Sequence, residues 1–537
     1  MQRYAGILCS VTSLPSRFGI GCFSQEAYDF VDWLKKAGQH YWQILPLGPV
    51  SHSGSFDSPY QAFSAFAGNP NFISLEDLIA QGVLTEQECS SLNFGTKADS
   101  VDYDKIFAAR QPLLYKAYTR SNISKNPDFQ KFVYENSWWL EDYALFMAVR
   151  EFFREQPWYQ WPEDIRMHWG NALDYYREKL YFQVEFHKYL QFQFHTQWQK
   201  LKKYANDRDI EIVGDIPIYV SMDSSDVWAH PEMFQLDQDN RQTQVAGVPP
   251  DGFTPDGQLW GNPLYRWEYH EKTGFQWWVT RIWHSFTLYD VVRIDHFRGF
   301  DEYFAIPAED DTARNGHWEK GPGIALFDAI RANLGDRKII AEDLGYMTQS
   351  VRQLVKDTAF PNMKILEFAF DVNDENSTND YLPHNYSRNC VVYTGTHDNS
   401  TVCGWLKSIS KEEKQRIRDY LCDQKSPAKD LHWTVISAAL RSVADTCIIP
   451  IQDYLGLDDQ ARMNIPGTVG CNWMWRLKPG QLTEGLAEKI RKLTALYGRI
   501  NRKPTVQQKQ EKIEADEKSS STKTSEAENE GRKEKAL

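Results

Sequence analysis

The feature that most limits the fold of this chain is a recurring order of elements. Near the N-terminus "GILCSV" reads as a strand, "SQEAYDFVDWLKKAGQ" as a helix and "YWQILPLG" as a second strand broken by Pro46. Ser24 stands at the cap of that helix, Ala27, Phe30, Val31 and Leu34 follow at helical spacing, and Gly38 occupies the stop position. The order returns downstream. "EFHKYLQFQFHTQWQKLKKYA" precedes "IEIVGDIPIYV", "GFQWWVTRIWHSF" precedes "YDVVRID", "ALFDAIRANLG" precedes "RKIIAEDLG", and "TQSVRQLVKDT" precedes "KILEFAFD". "VVYTGTHDN" follows after a loop, and "WTVISAALRSVADT" leads into "CIIPIQDYLG". Parallel strands need a crossover between them, so alternating helices and short apolar runs predict a parallel sheet. With this many units a closed (β/α)8 TIM barrel is favoured over an open sheet.

A bare barrel takes about 250 residues. The chain has 537, so roughly half must be insertion. The first insertion is expected at approximately 60–175, rich in aromatic residues and mainly helical. The second is expected near 220–270, where "GVPPDGFTPDGQLWGNPLY" carries turn chemistry and no sustained periodicity. The predicted fold class is thus α/β, a (β/α)8 barrel with large, mainly helical insertions, occupying residues 1–502. From about Lys503 the chain is mostly Lys, Glu, Ser and Gln without an aromatic residue, which predicts a disordered low-complexity tail over 503–537.

Composition narrows the partners. A net charge of −13 speaks against nucleic acid, since binding phosphates needs a basic surface. No apolar run approaches the roughly 20 residues that span a bilayer, and the patch in "MQRYAGILCSVTSLP" is too short for a signal peptide. Eight cysteines lie singly, without a C-x-x-C pair, which suits reduced thiols and a cytoplasmic location. The 19 Trp, 27 Tyr and 29 Phe have two readings, as filling for a large core or as flat platforms for sugar rings. Composition does not choose between them.

Four of the strand-like runs end in an acid: Asp215, Asp295, Glu342 and Asp398. A barrel delivers the C-terminal ends of its strands to one rim, so the four should converge. Any one of them alone could be a helix cap. Together they suit glycosyl transfer, which uses one ionised acid below the anomeric carbon and one protonated acid at the leaving oxygen. Arg293, two residues before Asp295, should share its face and keep it ionised, while crowding should raise Glu342. His296 would then point away from the site. A metal site from His296, His397 and Asp398 matches no ligand signature; "DVNDENSTNDYL" lacks the glycine and glutamate of a calcium loop, and "GIGCFS" has Ser24 where a dinucleotide fingerprint needs glycine. No metal and no cofactor is expected.

In detail, "GDIPIYV", "RIDHFRGF", "AEDLG" and "YTGTHDN" resemble the four signature regions of the α-amylase clan. With "TSLPSRFGIG", "SPYQAFSAFAGNP", "GVPPDGF", "GQLWGNPLY", "YLPHNY" and "RMNIPGT" between them, the chain from about residue 5 to 500 resembles the 4-α-glucanotransferase (amylomaltase, or disproportionating enzyme) family. The resemblance implies Asp295 as nucleophile, Glu342 as general acid/base and Asp398 as transition-state stabiliser, acting on α-1,4-glucans and maltooligosaccharides by a retaining double displacement. It implies substrate contacts from Asp215, Arg293 and His397 around the donor sugar, with Trp260, Asn464 and Pro466 lining the cleft. Ser58 and Tyr60 of "SPYQ", Asp371 of "FAFD" and Phe253 of the lid loop match further glucan-contacting positions. An amylase proper would carry Asn-His where Tyr219 and Val220 stand, which favours a transferase over a hydrolase. The chain departs from the family where two adjacent aromatics often follow P-P-D, since Gly252 precedes Phe253 here.

Overall fold

A computed structural model describes residues 2–50, 58–250, 254–345, 347–372 and 377–500. Phe253, Gly252 and the 503–537 segment lie outside these described residues. Among them the strands are, in chain order, β1 (Tyr4–Leu8), β2 (Tyr41–Gln43), β3 (Glu211–Ile216), β4 (Gln244–Val248), β5 (Gln258–Pro263), β6 (Val291–Ile294), β7 (Glu302–Pro307), β8 (His317–Lys320), β9 (Ile339–Ala341), β10 (Asn362–Ile365), β11 (Cys390–Tyr393) and β12 (Thr446–Pro450).

Eight of these close into a parallel barrel in the order β1-β12-β11-β10-β9-β6-β3-β2, the architecture expected from the alternation. The helix Gln25–Lys36 links β1 to β2 and buries Ala27, Phe30, Val31 and Leu34. Ser24 sits at its cap position, yet its hydroxyl is spent on Glu26 and not on the helix backbone. Barrel strands are buried on both faces, which is why they read as short unbroken apolar runs. The register sets up the site: Asp215 on β3 pairs with Arg293 on β6, so their side chains emerge together. Gly214, just before Asp215 in the chain, is required by packing, since a Cβ there would stand 2.1 Å from the Tyr289 ring.

The first insertion is helical as expected, with Tyr103–Ser121 and Pro127–Phe152 as its long helices packed on Tyr181–Asn206. Tyr115 stacks on Phe186 there at 3.9 Å between centroids. Much of the aromatic content is core: Trp42, Trp158, Trp198, Trp228 and Trp278 are fully buried.

The second insertion corrects the expectation. Residues 220–270 are not simply turns and helix: β4 and β5 form an antiparallel pair and join β7 and β8, from the segment after β6, in a four-stranded sheet ordered β5-β4-β7-β8. Val245, Phe304, Ile306 and Ala313 give this sheet a small core of its own. The strands were illegible because β4 is five residues long, flanked by turn chemistry, and its partner β7 lies far along the chain. No helix among the described residues is long and apolar enough to cross a membrane.

Candidate active site

Each of the four acids sits at the C-terminal end of a parallel strand. Asp215 is the penultimate residue of β3, Asp295 and Glu342 directly follow β6 and β9, and Asp398 lies five residues beyond β11. The strand ends are laced together: the Asp295 N–H donates to Ile216 O at 3.0 Å, and the Glu342 N–H to Ile294 O at 3.1 Å. Asp295 and Asp398 face a cleft of about 800 Å³ that Ser58, Tyr60, Trp260, Asn464 and Pro466 also line.

Beneath its floor, the buried Arg293 donates from Nη1 to both oxygens of Asp215 at 2.7 Å, and its Nη2 stands 2.9 Å from Asp295 Oδ1. Burial opposes the guanidinium charge, but Asp215 and Asp295 outweigh it and hold the group charged. Tyr60 donates its hydroxyl to Asp215 at 2.8 Å, lies 2.9 Å from His397 Nε2, and stacks on the His397 ring at 5.4 Å. The second oxygen of Asp398 is 3.3 Å from the same Nε2. The first accepts from Asn464 Nδ2 at 2.6 Å. Ser58 lies at the near edge, where its hydroxyl accepts from the Tyr60 N–H at 3.3 Å.

Glu342 accepts two backbone hydrogen bonds, from the His296 N–H at 2.6 Å and the Leu344 N–H at 2.8 Å, one on each oxygen. Burial raises its carboxyl to about 8, with the Asp295 charge adding to the rise. Burial also raises Asp295, to about 6, against the pull of Arg293 and with help from Asp215 and Asp398. Arg293 pulls Asp295 toward the ionised form, the direction expected from the sequence, while burial outweighs that pull. Arg293 lowers both carboxyls, and the Asp295 charge adds to the rise of Glu342, so that Asp295 loses its proton before Glu342 does.

His296 also departs from expectation. It is not on the far face of a regular strand, since β6 ends at Ile294 and His296 turns into the left-handed region at φ 49°. That turn aims its N–H at Glu342 and sets its ring edge-on to Trp260 at 4.8 Å. Burial lowers the imidazole to about 3, so the ring is neutral. Two further residues went unseen. Arg462 donates from Nη2 to the Asp398 carbonyl at 2.6 Å and from Nε to the Asn464 carbonyl at 2.8 Å. Trp473 lines the cleft with its ring 5.8 Å from both Tyr60 and His397, on a backbone at φ 65°. Arg462 stood inside "RMNIPGT", but nothing in the chain marked Trp473. Asp371 does not join the group: it is exposed and does not line the cleft. Among the described residues no three His, Cys, Asp or Glu side chains are arranged to hold a metal ion.

Comparison with known proteins agrees with this geometry. The family model described as 4-alpha-glucanotransferase matches residues 9–483. The 4-alpha-glucanotransferase of Streptococcus pneumoniae is 49% identical over 506 residues, covering 93% of this chain and 98% of that protein. That of Clostridium butyricum is 47% identical over 491 residues, covering 91% and 99%. Among solved structures, the amylomaltase from Streptococcus agalactiae in complex with acarbose superposes with a TM-score of 0.89 at 41% identity, covering 93% of this chain and all of that one (100%). The barrel, its acids and these matches together establish that the chain belongs to the 4-alpha-glucanotransferase family.

Proposed function

We propose that this protein is a 4-α-glucanotransferase that moves a segment of an α-1,4-glucan to the 4-hydroxyl of another glucan or of glucose, with retention at the anomeric carbon. The observation that carries the reading is the placing of Asp295 and Glu342 on the ends of paired strands, beside a cleft that Asp295 and Asp398 line. Asp295 attacks the anomeric carbon as Glu342 passes its proton to the departing glycosidic oxygen; the old bond breaks and a glycosyl ester of Asp295 forms. Glu342, now ionised, takes the proton of the acceptor's 4-hydroxyl. That oxygen attacks the same carbon, freeing Asp295.

Asp398, held by Asn464 and His397, grips the donor ring and stabilises its developing positive charge. Tyr60 lines the same cleft beside that ring, its hydroxyl held from beneath by Asp215, which is itself fixed on Arg293. Transfer outruns hydrolysis when the acceptor is held and water is kept out, and Trp260 and Trp473 are the walls that do so. The acidic surface and the single cysteines fit work in the cytoplasm on dissolved maltooligosaccharides.

Product analysis on maltotriose tests this. The expected result is glucose plus a ladder of longer maltooligosaccharides, unaffected by chelator. Reducing sugar without a ladder would identify a hydrolase, and loss of activity in chelator a metal-dependent enzyme. An Asp295→Asn variant that kept most of its transferase activity would remove the nucleophile assignment.

A further inference from the structure

A second pocket, of about 310 Å³, lies outside the catalytic cleft, and neither the mechanism nor the barrel core accounts for it. The segment after β2 that brings Tyr60 to the cleft runs on to Ser64 and Phe66 in this pocket's wall, and the segment after β3 runs on to Ser225 and Asp226. Its other walls are Trp138 and Asp142 of helix Pro127–Phe152 and Trp277 and Thr280 of helix Gln276–Leu288. Both catalytic-rim segments thus continue outward into it.

Of its aromatic residues, Phe66, Trp139 and Trp277 belong to the buried core, while Trp138 turns an open face outward. Trp138 is 40% exposed, and Trp283, with its ring 6.2 Å away, is 46% exposed. On the inner side the Trp138 ring meets Phe66 edge-on at 4.8 Å, and Phe66 meets Trp277 edge-on at 6.0 Å. The open face of Trp138 in the pocket wall, with Trp283 just outside it, is apolar surface that a ligand with flat apolar faces would cover. The polar lining narrows that ligand. Asp142, one helical turn from Trp138 and on the same face, and Asp226 are carboxylates, while Gln276 and Thr280 offer amide and hydroxyl groups. Among the described residues no lysine or arginine lines the pocket; of its two histidines His230 stands 3.5 Å from Glu232, and Arg177 reaches Asp142 from outside the lining at 3.6 Å. An anion is disfavoured there, and a neutral molecule rich in hydroxyl donors fits.

We propose that this pocket is a non-catalytic binding site for α-1,4-glucan, with Trp138 as its stacking platform and Asp142 and Gln276 taking the hydroxyls. The axial C–H faces of a glucose ring lie on the indole, and the hydroxyls at its edge meet the carboxylate and amide. The site holds a distant part of a chain whose other part is in the cleft, so it raises the effective concentration of long substrates and leaves short ones untouched. This rests on the glucan-transferring function proposed above.

The test compares Trp138→Ala and Trp138→Tyr with the wild-type enzyme on amylose and on maltotriose. Loss of one stacking platform should lower kcat/KM on amylose by about tenfold in Trp138→Ala, leave maltotriose unchanged, and be largely restored in Trp138→Tyr. Calorimetry with maltoheptaose in the Asp295→Asn background should find two sites, reduced to one by adding Trp138→Ala. An unchanged ratio of amylose to maltotriose activity, or a single site in both variants, overturns the proposal. Failure of the wild-type enzyme to disproportionate maltotriose would instead overturn the transferase function and leave the two-site titration to judge the pocket by itself. Should Trp138→Ala lose its fold, as read by a collapsed Tm, Asp142→Asn carries the same comparison with the same two outcomes.

Discussion

Arg293 stands 2.9 Å from Asp295 Oδ1 with its other terminal nitrogen bonded to both oxygens of Asp215 at 2.7 Å. One planar cation thus spaces two carboxylates and aims the partly buried one, Asp295, at the cleft. A lysine in its place keeps the charge but cannot fork between both acids. Arg293→Lys should therefore fold yet lose about 100-fold or more in kcat on maltotriose. Arg293→Ala, which leaves Asp215 buried without its cation, should cost about 3–5 kcal/mol of stability, read by denaturant unfolding.

Activity should be bell-shaped in pH. Turnover needs Asp295 ionised and Glu342 protonated, so kcat/KM should rise through about 6 and fall through about 8. In Glu342→Gln the residual activity should lose the alkaline limb. A profile flat across that window would contradict the pairing of acids.

The same shift has a stability sign. Glu342 is protonated in the folded protein up to about 8. In the unfolded chain it ionises above about 4.3, so the unfolded state loses its proton first and stability falls as pH rises between those values. Glu342→Gln removes that loss: its Tm should match wild type near pH 4 and exceed it by roughly a few degrees at pH 8. Thermal scans at both values measure it.

Asn464 holds Asp398 Oδ1 at 2.6 Å, and its N–H donates to the His397 carbonyl at 3.1 Å. Replacing Asn464 with Ala frees Asp398 to rotate while leaving the backbone bond. The expected effect is about a tenfold fall in kcat/KM with little change in Tm, since a partly exposed carboxylate can find water instead. Steady-state kinetics beside a melting curve separates the two.

Trp473 holds a left-handed backbone, at φ 65°, which is unfavourable for a bulky side chain, and it is kept there by its N–H bond to Met463 O at 2.6 Å and by its ring against Tyr60 and His397. Trp473→Gly relieves the backbone but opens the wall. Glucose released per transfer event should rise severalfold as water enters, and Trp473→Phe should restore most of the transfer. Equal ratios in all three proteins would assign the ring a packing role alone.

The alternation of helices with apolar runs was legible because a strand buried on both faces has to be apolar throughout, and because a parallel neighbour demands a helix between. From that alone Asp215, Asp295, Glu342 and Asp398 could be brought to one rim. The sheet of β4, β5, β7 and β8 was not legible, since its pairings join distant segments whose local sequence is turn chemistry. His296 was misread for a related reason: one residue leaving the strand for φ 49° reverses where everything after it points.

What the sequence by itself determined is the barrel and the identity of the acids, because both follow from periodicity and from strand ends. That Glu342 keeps its proton was also expected from the sequence, but only the tertiary structure decided the cause, burial ahead of neighbouring charge. That depends on how deeply each carboxyl is buried and on which charges stand beside it, and these are set by strands far apart in the chain that the barrel closes into contact.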